Sequence, residues 1–178
     1  ITLSESVRGE LLEIAPGAAD RIHAVPLAAD ATPDRNGILR RVCAKGSPRR
    51  LFYYPATAGE HKGHRILFEA AIHLARRAND FAVQLSGGGT VVLTDPSAPL
   101  SSAARDAASL FRREAGILGP IFSASDCLPI SAVHELYAGC HAVVIPSLYE
   151  GFGLPLAEAL SWGARVICTD LPPFREQL

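Results

Sequence analysis

The chemistry in this sequence is concentrated in two glutamates and the glycines between them. Glu150 and Glu158 lie eight residues apart in the run Pro146-Ser147-Leu148-Tyr149-Glu150-Gly151-Phe152-Gly153-Leu154-Pro155-Leu156-Ala157-Glu158-Ala159-Leu160. Gly151 and Gly153 allow a sharp turn and a close backbone approach to a ligand. Pro155 suits the first position of a helix, where no amide hydrogen is needed. A helix starting there directs the N–H groups of Gly153, Leu154 and Leu156 outward, which makes an anion site suited to phosphate without any lysine. Glu150 then falls in the loop before the helix and Glu158 at the end of its first turn, so both border one pocket. Carboxylates are strong acceptors for pairs of hydroxyls. A phosphate site flanked by two such acceptors suits a sugar–diphosphate–ribose ligand, with a sugar at each end. The same residues also fit a plain strand–loop–helix turn whose glutamates only favour the helix N-terminus. Chemistry alone leaves both readings open.

The elements that must position this loop alternate between strand and helix. Leu51–Tyr54 is a short apolar run bounded by Pro55. A helix is expected from His64 to Ala78, with Ile66, Leu67, Ala70, Ala71 and Leu74 on one face of a 3.6-residue period. Phe81–Leu85 reads as a strand ending in Gly87-Gly88-Gly89, a turn that opens no clear helix. Helices follow at Ser101–Ala115, capped by Ser101 or Ser102, and at Ser131–Ala138. Ala142–Ile145 is a continuous apolar run, the pattern of a strand buried on both faces of a parallel sheet. A helix at Pro155–Trp162 and a strand at Arg165–Cys168 complete the series, and a further helix begins in Phe174–Leu178. Repeated alternation of this kind predicts an α/β fold, a Rossmann-like parallel sheet with helices on both faces. In such sheets ligands bind beyond the carboxyl ends of the strands.

The first 30 residues differ in pattern. Ser4–Ile14 is expected to be helical and Arg21–Val25 a strand, and Pro26–Gly37 has the Ala, Asp and Pro content of a linker. Residues 1–30 therefore read as the end of a preceding domain with its hinge, and residues 31–178 as the main domain. Arg40, Arg41, Lys45, Arg49 and Arg50 form a basic stretch that suits a solvated loop.

The 178 residues carry a formal net charge of −1, so no basic excess points to nucleic acid. The four cysteines, Cys43, Cys127, Cys140 and Cys168, form no CxxC pair. Their spacing to His134 and His141 matches no common zinc pattern, and buried thiols in a reducing compartment are expected instead. No stretch reaches the roughly 20 apolar residues of a membrane span, and no signal peptide is visible. The chain begins at Ile1 and contains no Met, and it reads as part of a longer protein.

The run Glu150-Gly151-Phe152-Gly153-Leu154-Pro155 with Glu158, including Pro146-Ser147 before it and Ala159 after it, resembles the E-x7-E signature of retaining GT-B glycosyltransferases. The group is family 4, which includes sucrose synthases and many bacterial mannosyl- and glucosyltransferases. A second segment, Tyr54-Pro55-Ala56-Thr57-Ala58-Gly59-Glu60-His61-Lys62-Gly63-His64, resembles that family's first-strand loop. The resemblance implies the C-terminal half of a GT-B fold, incomplete at both ends, that binds a nucleoside diphosphate sugar. It implies that Glu150 contacts the donor sugar, that Glu158 binds the ribose hydroxyls, and that the amides of Gly151, Phe152, Gly153 and Leu154 hold the diphosphate. Lys62 is the counterpart of the basic residue that pairs with the diphosphate, where its ammonium offsets charge on the leaving group. Lys62 and Glu150 are thus the catalytic candidates; as a bare residue, Lys62 also fits an exposed surface lysine. Many relatives carry an arginine five residues before this lysine, where this chain has Thr57. Part of the usual positive charge is missing, or His61 or His64 supplies it. The Ile121-Phe122-Ser123 region corresponds loosely to where relatives clamp the base.

The activity implied is retaining transfer of a hexosyl group to a hydroxyl acceptor without a metal or a resident cofactor. The acceptor, a glycan, lipid or other alcohol, is expected to bind through an N-terminal domain. The setting is cytoplasmic, with or without peripheral attachment to a membrane. Three rivals stand beside this reading: a nucleotide-sugar-binding domain without catalysis of its own, a nucleotide-sugar epimerase of the same plan, and a relative that has lost activity. The E-x7-E loop argues against the epimerase, and retention of both glutamates and Lys62 argues against lost activity.

Overall fold

A computed structural model describes residues 1–29, 50–95, 97 and 105–178. In chain order the elements are α1 (Glu5–Ile14), β1 (Arg50–Pro55), α2 (His64–Ala75), β2 (Phe81–Ser86), α3 (Thr90–Thr94), α4 (Arg105–Arg113), α5 (Ala115–Leu118), β3 (Phe122–Ser125), α6 (Ile130–Gly139), β4 (Ala142–Ile145), α7 (Leu154–Ser161), β5 (Val166–Cys168) and α8 (Pro172–Arg175). The five strands form one parallel sheet in the order β3-β2-β1-β4-β5. The chain therefore moves outward in one direction from β1, then returns to β1's other side for β4. The crevice where the order reverses, at the carboxyl ends of β1 and β4, is where such sheets bind ligands.

Each face of the sheet has its own core, because consecutive side chains of a strand point to opposite sides. Tyr54, Val83 and Leu85 face α2, α4 and α5, where Leu67, Phe68, Ala71, Leu110, Phe111 and Leu118 are buried. Tyr53, Val143 and Ile145 face α6, α7 and α8 with Tyr137, Leu156, Ala159 and Phe174. Burial of β1 on both sides accounts for its almost continuous apolar character.

The buried face of α2 is rotated from the one expected. His64, Leu67, Phe68, Ala71 and Ile72 are buried, while Ile66 and Leu74 are 41% and 37% exposed. This helix is apolar on two overlapping stripes, and the large Phe68 ring decides between them by packing against Phe111 and Phe122. Gly87-Gly88-Gly89 does open a helix after all: Gly89 adopts φ +84° and α3 follows at once. The Arg21–Val25 segment is no regular strand but makes a single parallel bridge between Ala24 and Thr2. Strand β3 had no counterpart in the sequence expectations. Ser4 caps α1, its hydroxyl accepting the Val7 N–H.

Cys127 is exposed, and Cys140 and Cys168 are half-buried, so the expected buried thiols are not found at Cys127. Cys43, most of the linker, the basic stretch up to Arg49 and the start of the Ser101 helix lie outside the described residues. Arg50 opens β1 and pairs with Asp80 at 2.7 Å. Among the described residues no helix is long and apolar enough to cross a membrane.

Candidate functional site

The two loops singled out in the sequence leave the two strands that flank the reversal, β1 and β4, and they touch. The Leu148 N–H donates to the His61 carbonyl at 2.7 Å. Gly63, at φ +72°, lies so close to the second loop that a Cβ there would sit 1.9 Å from the Pro146 carbonyl oxygen. Only glycine satisfies both the left-handed backbone and this approach. The Tyr54 hydroxyl donates to the Lys62 carbonyl, so the buried end of β1 also grips the first loop.

This clamp joins Lys62 to Glu150 across 88 residues of sequence. Lys62 Nζ lies 2.7 Å from Glu150 Oε1, with the side chains 17% and 9% exposed. The Ser147 hydroxyl donates to the same oxygen at 2.7 Å, and the Ser147 carbonyl in turn accepts the Thr169 hydroxyl at 2.5 Å. A largely buried ion pair of this kind is held as much by its surrounding hydrogen bonds as by attraction. Glu150 Oε1 is thus committed to two protein donors. Lys62 carries three N–H groups and, among the described residues, uses one here, leaving two for another acceptor.

The loop between the glutamates is held from behind. The Ser4 hydroxyl donates to the Gly151 carbonyl at 2.7 Å, and the Gln177 side-chain amide donates to the Phe152 carbonyl. In a planar trans peptide the N–H points opposite to the carbonyl of the same unit. The Phe152 and Gly153 N–H groups therefore point away from Ser4 and Gln177. Gly153 takes φ +88° as the residue before α7, and a Cβ on it would lie 2.2 Å from the Phe174 ring. The expected trio of outward amides is reduced by one, because the Leu156 N–H is spent on the Gly153 carbonyl at 2.9 Å. Among the described residues no acceptor takes the N–H groups of Gly153 and Leu154.

Glu158 sits five residues into α7, in its second turn rather than at the end of the first. Its Oε2 accepts the Tyr137 hydroxyl at 2.6 Å. Tyr137 comes from α6 and had no place among the sequence candidates; its apolar neighbours in that helix gave it the pattern of a core residue. In the sequence Ser147 belongs to the motif and Ser4 to the start of the first helix.

Of the two histidines beside Lys62, His64 cannot carry the positive charge that Thr57 lacks. His64 is fully buried against Tyr54, with ring centroids 5.0 Å apart, and among the described residues neither ring nitrogen has a well-formed hydrogen bond. Burial pushes its pKa down to about 4, the Gly59 backbone opposes this, and Lys62 and His61 push it down further, so it is neutral at neutral pH. His61 is exposed and packs against Gly59, serving the site through its carbonyl. Thr57 is exposed. His134 stacks on Trp162 and His141 meets the edge of Phe52. Asp170, 74% exposed, forms a two-pronged pair with Arg175 at 2.5 and 2.6 Å.

A parallel Rossmann-like sheet with acidic residues, a lysine and free amides at its reversal point defines a nucleotide-binding class of α/β domain. The chain belongs to the family of glycosyl transferases group 1, whose model it matches over residues 38–178. It is 49% identical over 49 residues to O-antigen chain mannosyltransferase B of Escherichia coli, a stretch covering 28% of this chain and 13% of that protein. It is 46% identical over 43 residues to O-antigen chain mannosyltransferase RfbU of Salmonella typhimurium, covering 24% and 12% of the two chains. Among solved structures it is similar to Alr3699/HepE of Anabaena, in complex with UDP and glucose, with TM-score 0.71 and 17% identity over 99% of this chain and 45% of that one. WaaG, a glycosyltransferase involved in lipopolysaccharide biosynthesis, gives TM-score 0.69 and 16% identity over 99% and 45%. The fold is thus one half of a GT-B fold, and the chain spans less than half the length of these relatives.

Proposed function

We propose that this chain is the donor-binding half of a retaining glycosyltransferase, which moves a hexosyl group from a nucleoside diphosphate sugar to a hydroxyl acceptor. The observation that carries this reading is the Lys62–Glu150 pair beside the Gly153 and Leu154 amides, at the carboxyl ends of β1 and β4. The diphosphate lies against those amides and the two spare N–H groups of Lys62. Glu150 Oε2, with Oε1 already committed, accepts from the transferred sugar, and Glu158 accepts from the ribose. In the reaction the bond from the anomeric carbon to the diphosphate oxygen breaks and a bond to the acceptor oxygen forms. The acceptor's proton leaves with the diphosphate side, whose growing negative charge Lys62 and the helix-start amides offset. Positive charge that Thr57 does not provide falls to Lys62 and the amides, with His61 beside them. The acceptor, a glycan, lipid or other alcohol, binds through a preceding domain of which residues 1–30 are the end.

The test is a thermal-shift screen of the chain against UDP-, GDP- and ADP-sugars, followed by calorimetry on the one that binds. A ligand at 100 times its Kd raises stability by about 2.7 kcal/mol. No stabilisation by any nucleotide sugar sinks the reading. Binding without turnover, assayed in the longer protein with a panel of alcohols, leaves a nucleotide-sugar-binding module instead. Conversion of the sugar without an acceptor marks an epimerase.

A further inference from the structure

Glu158 is a flexible side chain on the surface of α7, yet one of its oxygens is fixed in place. The Tyr137 hydroxyl donates to Oε2 at 2.6 Å. Tyr137 is 1% exposed, and its ring meets Tyr53 edge-on, with centroids 5.3 Å apart and planes at 79°. Tyr53 is itself wholly buried in β1, and its hydroxyl shares a 2.7 Å hydrogen bond with Ser86 Oγ at the end of β2. The chain Ser86–Tyr53–Tyr137–Glu158 thus runs from the carboxyl end of β2 to the carboxylate. A carboxylate only accepts, so the phenol is the donor in this bond. Burial first, then the hydrogen bond and charge of Glu158, raise the Tyr137 pKa, which keeps the donor proton in place. Glu158 Oε1 has no protein partner among the described residues.

We propose that Tyr137 is a positioning residue for Glu158: it holds Oε2 so that Oε1 faces the ribose hydroxyls of the bound nucleotide. This rests on the assignment of Glu158 to the ribose. A core tyrosine that merely satisfies its own hydroxyl would affect stability without regard to the ligand. A positioning residue acts only where a ribose hydroxyl is present to be bound.

The experiment is calorimetry with the nucleoside diphosphate selected by the thermal-shift screen (UDP, GDP or ADP) and with its 2′,3′-dideoxyribose form. The proteins are the full chain, Tyr137→Phe, Glu158→Gln and the double variant. Phenylalanine keeps the ring packing against Tyr53, and the ratio of the two affinities within each protein is insensitive to any overall loss of stability. Tyr137→Phe is expected to weaken the ribose-containing nucleotide about tenfold, in the range for a hydrogen bond to a charged group, and the dideoxy form less than about twofold. In the Glu158→Gln background it is expected to add nothing. Equal losses on both nucleotides, or none on either, overturn the positioning role while leaving the ribose assignment standing. If Glu158→Gln itself fails to distinguish the two nucleotides, the ribose assignment falls and the role of Tyr137 falls with it.

Discussion

At the residue scale the site is governed by how few polar groups are left unpaired. Lys62 and Glu150 neutralise one another at 2.7 Å in a mostly dry setting, and Ser147 shares the work. Lys62→Ala should therefore have two effects. On the proposed role of Lys62 at the leaving group, transferase activity should fall by about 10²- to 10³-fold. Thermal stability should also fall, because Glu150 is left largely buried without its cation. A variant with lower activity but an unchanged melting temperature would contradict the ion-pair geometry. His64 gives a pH prediction. Its folded pKa of about 4 is below the usual 6.5, so between these values the unfolded chain binds more protons. Stability from this group is full above about pH 6.5 and is lost as pH falls toward 4, by an amount on the order of 2–3 kcal/mol. His64→Leu should flatten that part of the stability profile between pH 7 and 4.5 in urea titrations. An unchanged slope would show that His64 is not buried neutral.

At the element scale the site depends on two helix starts and the loops that feed them. Gly153 lets β4 pass into α7 with a left-handed residue pressed against Phe174. Gly153→Ala meets both a backbone penalty and a clash, and should cost at least about 2 kcal/mol of stability in chemical denaturation. A cost below about 0.5 kcal/mol, the usual range for a surface change, would show that the loop has room that this packing denies it. Nucleotide-sugar affinity should fall in the same variant, because the Gly153 and Leu154 amides turn with the backbone. Gly63 plays the matching part in the first loop, against the Pro146 carbonyl. The two constraints together make the crevice a fixed cradle rather than two independent loops.

At the scale of the whole molecule, the N-terminal segment is tied to the loop from Tyr149 to Gly153. Glu176 accepts the N–H groups of Glu5 and Ser6 at 2.9 and 2.8 Å, capping α1, while Ser4 holds the Gly151 carbonyl and Tyr149 reaches Glu10 at 3.3 Å. Burial pushes the Glu176 pKa up, but the Glu5 and Ser6 N–H groups and the Ser6 hydroxyl outweigh it and hold the pKa below its usual value. The stabilisation is therefore present above the usual glutamate pKa and is lost as pH falls through the lowered one. Glu176→Gln should speed hydrogen exchange at the first amides of α1 and carry the loosening to the Glu150–Gly153 loop through Ser4. Exchange confined to α1 would show that the segment and the loop are not coupled.

Much of this protein was legible in one dimension. The strand and helix periods of β1, β2, β4, α1, α6 and α7 are local properties of side-chain spacing, so they can be read in a short window. A loop from Glu150 to Gly153 and a helix start one residue from the expected Pro155 follow from glycine and proline placement. What only the tertiary structure decided is non-local. The order β3-β2-β1-β4-β5 sets β1 beside β4 and thereby brings Lys62 to Glu150. The short β3, Phe122–Ser125, carries little apolar signal and becomes a strand by pairing with β2. The face α2 buries, the neutral state of His64 and the bond from Tyr137 to Glu158 depend on which side chains meet across elements. Local spacing determines which elements form and which residues are fit for chemistry. Packing between distant segments determines which of them share a site, because burial and hydrogen-bond partners exist only once those segments are together.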